Sequence, residues 1–387
     1  MNYKNRQKLK RCLPVFLTNI LKGLKDIFDK RPQIVYNIGK DINNKHKALL
    51  CYVPNFLFFE DLDTVIGTRE KECSAFVHAL ISSECSVDIC YVDYNGPILS
   101  DYDYIFGQGL AFRNARKQNP HAKSILYLTE MPPSYSFAKE KERAEYLFQR
   151  HQIKVNFARS GKYFIESDFD GLDGCIMMGK EEDASLVKGT SMYMIRPTGL
   201  KNHSFRLEDR KIEESKNNFI WIGSYGSVHK GLDILFDVFA KHPELTLHVL
   251  GLQPQERKLL KSIMPHNIVD YGFVQISTDE FLNIATKCAF MIYPSCSEGV
   301  ATSVITAMNH GIIPLVSEVC SIETEGCGES MKSFYVEDVE KVVLKWYHKS
   351  NDELREKMQK TIDVAQQWYT LEKYSESIHR LVEEIVK

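Results

Sequence analysis

The sequence predicts an α/β protein of two domains, each an open parallel sheet with helices on both faces. Three observations carry this expectation. Strand-sized apolar runs alternate with helix-period segments through both halves of the chain. Several of those runs end on a glycine, as at Gly223, Gly251 and Gly272. A polar, charged stretch without strand character, 199–218, separates the two series. At 387 residues the chain is long enough to bury two separate cores.

In the first series, Ile34–Tyr36 and Ala48–Val53 read as strands, followed by a loop over 54–67 rich in aromatic and acidic residues. Thr68–Ser83 has helical periodicity through Phe76, Leu80 and Ile81, and Val87–Val92 is strand-like. Tyr104–Phe106 and Ser124–Leu128 are short strands with a helix between them. A charged helix over Ala138–His151 and strands at Gly174–Met178 and Met192–Ile195 complete the series. The second series starts at Phe219–Gly223 and continues with a helix over Leu232–Phe239 and strands at Leu245–Leu250 and Ile268–Tyr271. A helix over Thr278–Lys287 leads to strands at Cys288–Ile292 and Ile312–Val316, and the tail from Glu353 to Lys387 is helical and amphipathic. Two such domains leave a cleft between them, the usual place for a small-molecule site.

Composition is that of a soluble globular protein, with 44% hydrophobic and 26% charged residues and a formal net charge of −2. That balance gives no electrostatic reason to expect nucleic acid as a partner. The ten cysteines form no CxxC pair and, with no signal peptide, read as reduced, mostly buried thiols of a cytoplasmic protein. No apolar run is long enough to span a bilayer. The first thirty residues differ from the rest. Lys4, Arg6, Lys8, Lys10, Arg11, Lys22, Lys25 and Lys30 face only Asp26 and Asp29, and Phe16, Leu17, Ile20, Leu21, Leu24, Ile27 and Phe28 fall on one helical face. Two readings stand: a helix lying on an anionic membrane surface, or one docked on the protein body.

The richest stretch is Tyr293 to Gly311. An apolar strand passes through a Pro/Ser/Gly turn into a periodic helix that stops at Gly311. Such a turn aims backbone N–H groups and the positive end of a helix at one spot, which suits a phosphate. Glu298 stands at that mouth, where a carboxylate is useful only if it accepts hydrogen bonds from neutral hydroxyls. Phosphate donors and a hydroxyl-reading acid in one turn point to a nucleotide sugar. Independently, Lys230 follows the turn Gly223-Ser-Tyr-Gly226, well placed to neutralise a diphosphate.

Taken together these pieces resemble the donor-binding half of retaining GT-B glycosyltransferases, in particular family 4 (group 1). The matching elements are strand-Gly223, Lys230-Gly231, Gly251, Tyr271-Gly-Phe-Val274, Pro294-Ser295, Glu298-Gly299, Ala307-Met308, Gly311 and Pro314, in order. The resemblance implies a GT-B fold: two Rossmann-like domains facing a central cleft, with a C-terminal helix crossing back to the N-terminal domain. The expected organisation is a basic N-terminal helix (1–30), an acceptor-side domain (31–200), a donor-binding domain (201–365) and the crossover helix (366–387). It also implies roles. Lys230 would hold the pyrophosphate with the backbone at Val300, Ala301 and Thr302, Glu298 would bind sugar hydroxyls, and Tyr271 and Val274 would line the base pocket. Ser224, Gly226, Gly251, Ser295, Gly299 and Thr306 complete the expected donor site. Gly67, Thr68, Glu130 and Arg159 are expected on the acceptor side, with two other readings open for Glu130 and Arg159: contact with the donor phosphate, or a surface ion pair.

Two positions depart from the family's pattern. Ser224 stands where an arginine usually pairs with the lysine, and Thr306 where a second glutamate commonly binds the nucleotide ribose. Thr306 also reads as a structural residue of its helix. Three Asp-x-Asp strings (Asp61/Asp63, Asp101/Asp103 and Asp168/Asp170) are short and sit in polar turns rather than at the end of a buried strand, which argues against a metal-dependent site. The expectation is therefore a metal-independent transferase with no cofactor. It would move a sugar from a UDP- or GDP-linked donor to a glycan or lipid-linked acceptor, in cell-surface polysaccharide synthesis. The alternative is a non-catalytic subunit of the same fold that binds glycan or stabilises a partner transferase.

Overall fold

The computed structural model describes residues 33–387 except 40, 42–43, 59–66, 100, 158 and 162. The expected basic helix of 1–30 lies outside the described residues. In chain order the elements of the first half are β1 (Ile34–Ile38), β2 (His46–Tyr52), α1 (Thr68–Ser82), β3 (Cys85–Tyr91), β4 (Tyr104–Gly107) and α2 (Gly109–Gln118). They continue with β5 (Lys123–Leu128), α3 (Pro133–His151), β6 (Gly174–Met178) and β7 (Met192–Ile195). The sheet runs β1-β3-β2-β4-β5-β6-β7. Every pairing in it is parallel except β1 against β3, so the parallel sheet expected from the sequence carries one antiparallel edge strand. Strand β1 is only partly buried and bends at Asn37, whose N–H donates to the buried Asp88 carboxylate at 2.7 Å. An edge strand joined by a loop of seven residues to its successor needs no helical crossover, which leaves both directions open to it.

The second half holds α4 (Ile212–Ser215), β8 (Asn218–Ile222), α5 (Leu232–Lys241), β9 (Thr246–Leu250), α6 (Pro254–Leu260), β10 (Ile268–Gly272) and α7 (Asp279–Ala285). It ends with β11 (Phe290–Tyr293), α8 (Thr302–Met308), β12 (Ile313–Ser317), β13 (Glu329–Met331), α9 (Val336–Tyr347), α10 (Asn351–Trp368) and α11 (Leu371–Val386). This sheet is wholly parallel, in the order β10-β9-β8-β11-β12-β13. Its strand order reverses between β8 and β11, and the crevice beyond the C-terminal ends of two such strands is where open α/β sheets take ligands. Both strands are fully covered, with Phe219, Ile220, Trp221, Phe290, Met291 and Ile292 excluded from solvent.

Three differences from the sequence expectation have local causes. Helix α3 begins at Pro133 rather than Ala138, because proline fits the first turn, where an N–H has no intrahelical partner. The crossover helix starts at Leu371 rather than 366, because the tail breaks at Tyr369, whose buried hydroxyl accepts the Glu323 N–H (2.8 Å), and restarts at Thr370, whose side chain caps α11. Elements α4, α6, β13 and α9 were not expected. In α9 the buried Val336, Val339, Val343 and Trp346 form a helical stripe, but its valines give the run a strand-like composition.

Helix α11 returns to the first domain and packs on α1 and β7. Two hydrogen bonds fix it there, Tyr104 Oη to Val386 O at 2.8 Å and Tyr127 to Tyr374 between hydroxyls at 2.9 Å. Helix α3 ties the two domains directly. Arg143, fully buried, donates to Pro294 O at 2.6 Å, Ser136 meets Ser297 at 2.9 Å, and Arg150 pairs with Asp233 and Asp237 on α5. All the described cysteines are buried, and none of them is in a disulfide. Among the described residues no helix is long and apolar enough to cross a membrane.

Candidate active site

A cavity of about 520 Å³ opens between the two domains, at the carboxyl ends of β8 and β11. Its centre is a buried charge cluster. Lys230 Nζ lies 3.1 Å from Glu298 Oε1 and donates to Tyr293 Oη at 2.8 Å. Arg159 reaches across from the first domain, with Nη1 3.3 Å from Glu298 Oε2 and Nη2 3.1 Å from Glu130 Oε1. Burial alone would raise the Glu298 carboxyl, but Lys230, Arg159 and His229 outweigh it and hold the group well below the usual carboxylate range. Burial draws Lys230 below its ordinary value, against the pull of Glu298, while Glu298 raises Arg159 above its own. The cluster is thus a carboxylate held ionised between two cations from opposite domains.

The local sequence explains how each member is aimed. Trp221 on β8 stacks against Tyr293 on β11 with ring centroids 6.2 Å apart, and its indole N–H donates to the backbone carbonyl of Lys230 at 3.1 Å. The loop bearing Glu298 is held by Ser295, whose Oγ lies 3.1 Å from Glu298 Oε1, and by the His229 ring N–H donating to Ser297 O. Gly299 is required by the domain contact itself, since a Cβ there would stand 2.4 Å from Thr129 O of the first domain.

The expected residues divide into three groups. Lys230, Glu298, Ser224, Gly251, Val274, Val300, Ala301, Thr302 and Thr306 line the cavity from the second domain, and Gly67, Thr68, Glu130 and Arg159 from the first. Ser295 and Gly299 lie behind that wall as supports. Gly226 and Tyr271 are placed elsewhere. The N–H groups of Gly226 and Ser227 both donate to Glu256 Oε1, at 2.8 and 2.9 Å, so a carboxylate already fills that backbone nest. Tyr271 turns away from the cavity to stack on His248, with its hydroxyl 2.9 Å from Nδ1. Phe273 and Gln275, just past the strand end, line the wall beside Val274 instead. The Thr306 hydroxyl gives its hydrogen to Thr302 O (3.0 Å) and accepts the Leu200 N–H (3.0 Å), docking the interdomain segment onto α8. One lone pair is left for a ligand.

Sequence reasoning missed Tyr293 as a member of the cluster, along with Phe273, Tyr225 and Glu72 in the wall. Tyr293 was legible as the last strand residue before the motif, but its bond to Lys230 spans 63 positions. Glu72 accepts from the Thr198 N–H (2.7 Å) and hydroxyl (3.2 Å), joining α1 to the segment that leads into the second domain. Burial pushes its carboxyl up to about 7, more than the two Thr198 donors lower it. A raised folded-state pKa favours folding below the unfolded value of 4.5, and that contribution is lost as pH rises through about 7. Glu72→Gln keeps the acceptor without the charge. It should therefore be more stable than the parent above neutrality, by about 1–3 kcal/mol, with the gap closing toward acid. Urea unfolding across pH 5 to 8 measures this, and a gap that does not change with pH would refute it.

Of the Asp-x-Asp strings, Asp101 is paired with Lys47, Asp103 accepts the Lys47 N–H, and Asp168 is paired with Arg113. Asp61 and Asp63 lie outside the described residues. Among the described residues no three His, Cys, Asp or Glu side chains converge as a metal site.

Residues 205–363 match the family model of the glycosyl transferases group 1. This segment contains Lys230, Glu298 and the entire second sheet. Over that segment the chain is similar to the group 1 glycosyl transferases. Solved structures agree on the fold around it. Sucrose-phosphate synthase from Thermosynechococcus elongatus superposes with a TM-score of 0.63 at 12% identity, over 88% of this chain and 99% of that one. WaaG, a glycosyltransferase involved in lipopolysaccharide biosynthesis, gives 0.52 at 14% identity over 88% and 99%. A TarM variant from S. aureus, in complex with fondaparinux, alpha-GlcNAc-glycerol and UDP, gives 0.52 at 14% identity over 72% of this chain. This chain spans 55% of TarM's length. No curated protein matches the chain significantly by sequence. The two sheets and the cleft between them form a GT-B fold.

Proposed function

We propose that the protein transfers a sugar from a nucleotide-diphosphate donor to a glycan or glycolipid acceptor, with retention at the anomeric carbon and without a required metal ion. The observation that carries this reading is the Lys230–Glu298–Arg159 cluster at the switch point of the group 1 sheet. Cations there suit a leaving diphosphate, and an ionised carboxylate between them suits neutral sugar hydroxyls. On this reading Lys230 stabilises the charge that develops on the leaving diphosphate, which takes the acceptor proton itself. Such chemistry asks the protein for electrostatic support more than for a base. The acceptor would enter from the first domain, past Gly67, Thr68 and Glu130. A role in cell-surface polysaccharide synthesis follows from the family resemblance. Placement at the cytoplasmic membrane face rests on the basic N-terminal segment, and co-sedimentation with anionic vesicles reads it out.

The test is calorimetric titration with UDP, GDP and their common sugar conjugates in chelator. Binding of one conjugate is expected, reduced by at least about a hundredfold in Lys230→Ala, because a charge-assisted phosphate contact is lost from a buried side chain. A panel with no binding would sink the reading. It would favour the second one, a non-catalytic subunit of the same fold, which Ser224 and the engaged hydroxyl of Thr306 support.

A further inference from the structure

The cavity wall carries three cationic side chains among the described residues: Arg69, Lys230 and Arg159. Arg69 sits in the first turn of α1, where its field acts on Glu72. Arg159 lies elsewhere, against the loop that follows β8. A Cβ on Gly226 would stand 3.2 Å from Arg159 Cδ, so the arginine stem runs along this loop although it belongs to the other domain. Its backbone is fixed from behind. The Arg159 N–H, the Ser160 N–H and the Ser160 hydroxyl all donate to the Glu140 carboxylate, at 3.2, 3.0 and 2.6 Å, and Glu140 is buried on α3. Helix α3 in turn is bonded to the Glu298 loop through Arg143 and Ser136. The guanidinium is therefore held in place by its own domain and presented to the other.

Charge makes the placement meaningful. Arg159 and Lys230 balance Glu298 and Glu130, so the cluster as it stands has no surplus positive charge. A diphosphate entering beside Lys230 brings at least two negative charges, and Lys230 already shares its ammonium with Glu298 and Tyr293. Ser224, exposed on the loop after β8 where the resemblance places an arginine, is neutral. Resting on the donor reading above, we infer that Arg159 is the second cation of the diphosphate clamp, supplied across the cleft from the first domain. Its fork of donors can leave Glu130 and Glu298 for phosphate oxygens while the backbone stays anchored on Glu140.

The experiment compares UDP with uridine, and GDP with guanosine, by calorimetry on the full chain. Arg159→Met is expected to lower the diphosphate affinity about ten- to a hundredfold with nucleoside affinity unchanged. Adding Ser224→Arg to that variant should recover most of the loss, because it returns a cation to the same phosphates from the second domain. Arg159→Lys, which keeps one charge, should fall between, and it serves as the probe if the methionine variant does not fold. An unchanged ratio of diphosphate to nucleoside affinity overturns the inference, as does a loss that Ser224→Arg leaves uncorrected, since that marks Arg159 as a partner of Glu298 only. A parent protein that binds neither diphosphate overturns the donor reading instead.

Discussion

Glu298→Ala is expected to lower sugar-transfer turnover by about two to three orders of magnitude while nucleoside-diphosphate affinity holds or rises. The carboxylate is 5% exposed and receives Lys230, Arg159 and Ser295. If it reads sugar hydroxyls, each charged hydrogen bond lost costs about 1.5–3 kcal/mol, and two of them account for the drop in rate. The diphosphate sees the opposite change, because removing the carboxylate releases two cations that competed for it. Arg159 keeps Glu130, but Lys230 loses its only carboxylate partner in the cluster and the fold is destabilised, so Glu298→Gln, which keeps the shape and an acceptor oxygen, is the companion variant. Steady-state transfer, UDP or GDP titration and thermal unfolding of both variants decide the matter. Turnover and nucleotide affinity falling together in a folded variant would assign Glu298 to shaping the loop, and unchanged turnover would remove it from the chemistry.

The largest effect on stability is expected from Gly251→Ala, about 3–5 kcal/mol. Gly251 has a φ of 88°, and a Cβ there would stand 1.9 Å from Gly223 O. Both residues are backbone at the ends of adjacent buried strands, and the Gly251 N–H is bonded to Gly272 O at 2.6 Å. Nothing flexible can yield, so the left-handed conformation and the collision add. Gly189→Ala separates the two contributions. Gly189 has a φ of 82° with nothing within 4 Å of a built Cβ, so it should cost only about 1–2 kcal/mol. Urea unfolding of both variants checks this, and equal losses would show that the collision relaxes. Because Gly251 also lines the cavity, the alanine variant should lose nucleotide binding as well.

The division between legible and hidden features follows the range of the interactions. Lys230 and Glu298 could be picked out because each sits in a strand–turn–helix whose signals lie within about a dozen residues. The same holds for Val274, Val300 and Thr302. Tyr271 and Gly226 were misplaced because their environments are set by other strands and helices: His248 on β9 takes the tyrosine, and Glu256 on α6 takes the Gly226 N–H. Helix α9 was missed although its apolar stripe is present, since its valines suit a strand as well as a helix.

By itself, then, the sequence determined the two α/β series, the order of the elements that line the cavity from the second domain and the identity of the cation and carboxylate there. These are properties of hydrophobic period and turn chemistry, which act between near neighbours. Only the tertiary structure decided that β1 runs antiparallel, that Thr306 anchors the interdomain segment, and that Tyr293 and Arg159 complete the cluster. Arg159 lies 139 positions from the carboxylate it meets. A pairing of that kind is fixed by how α3 packs against the second domain, and no local pattern in the chain encodes it.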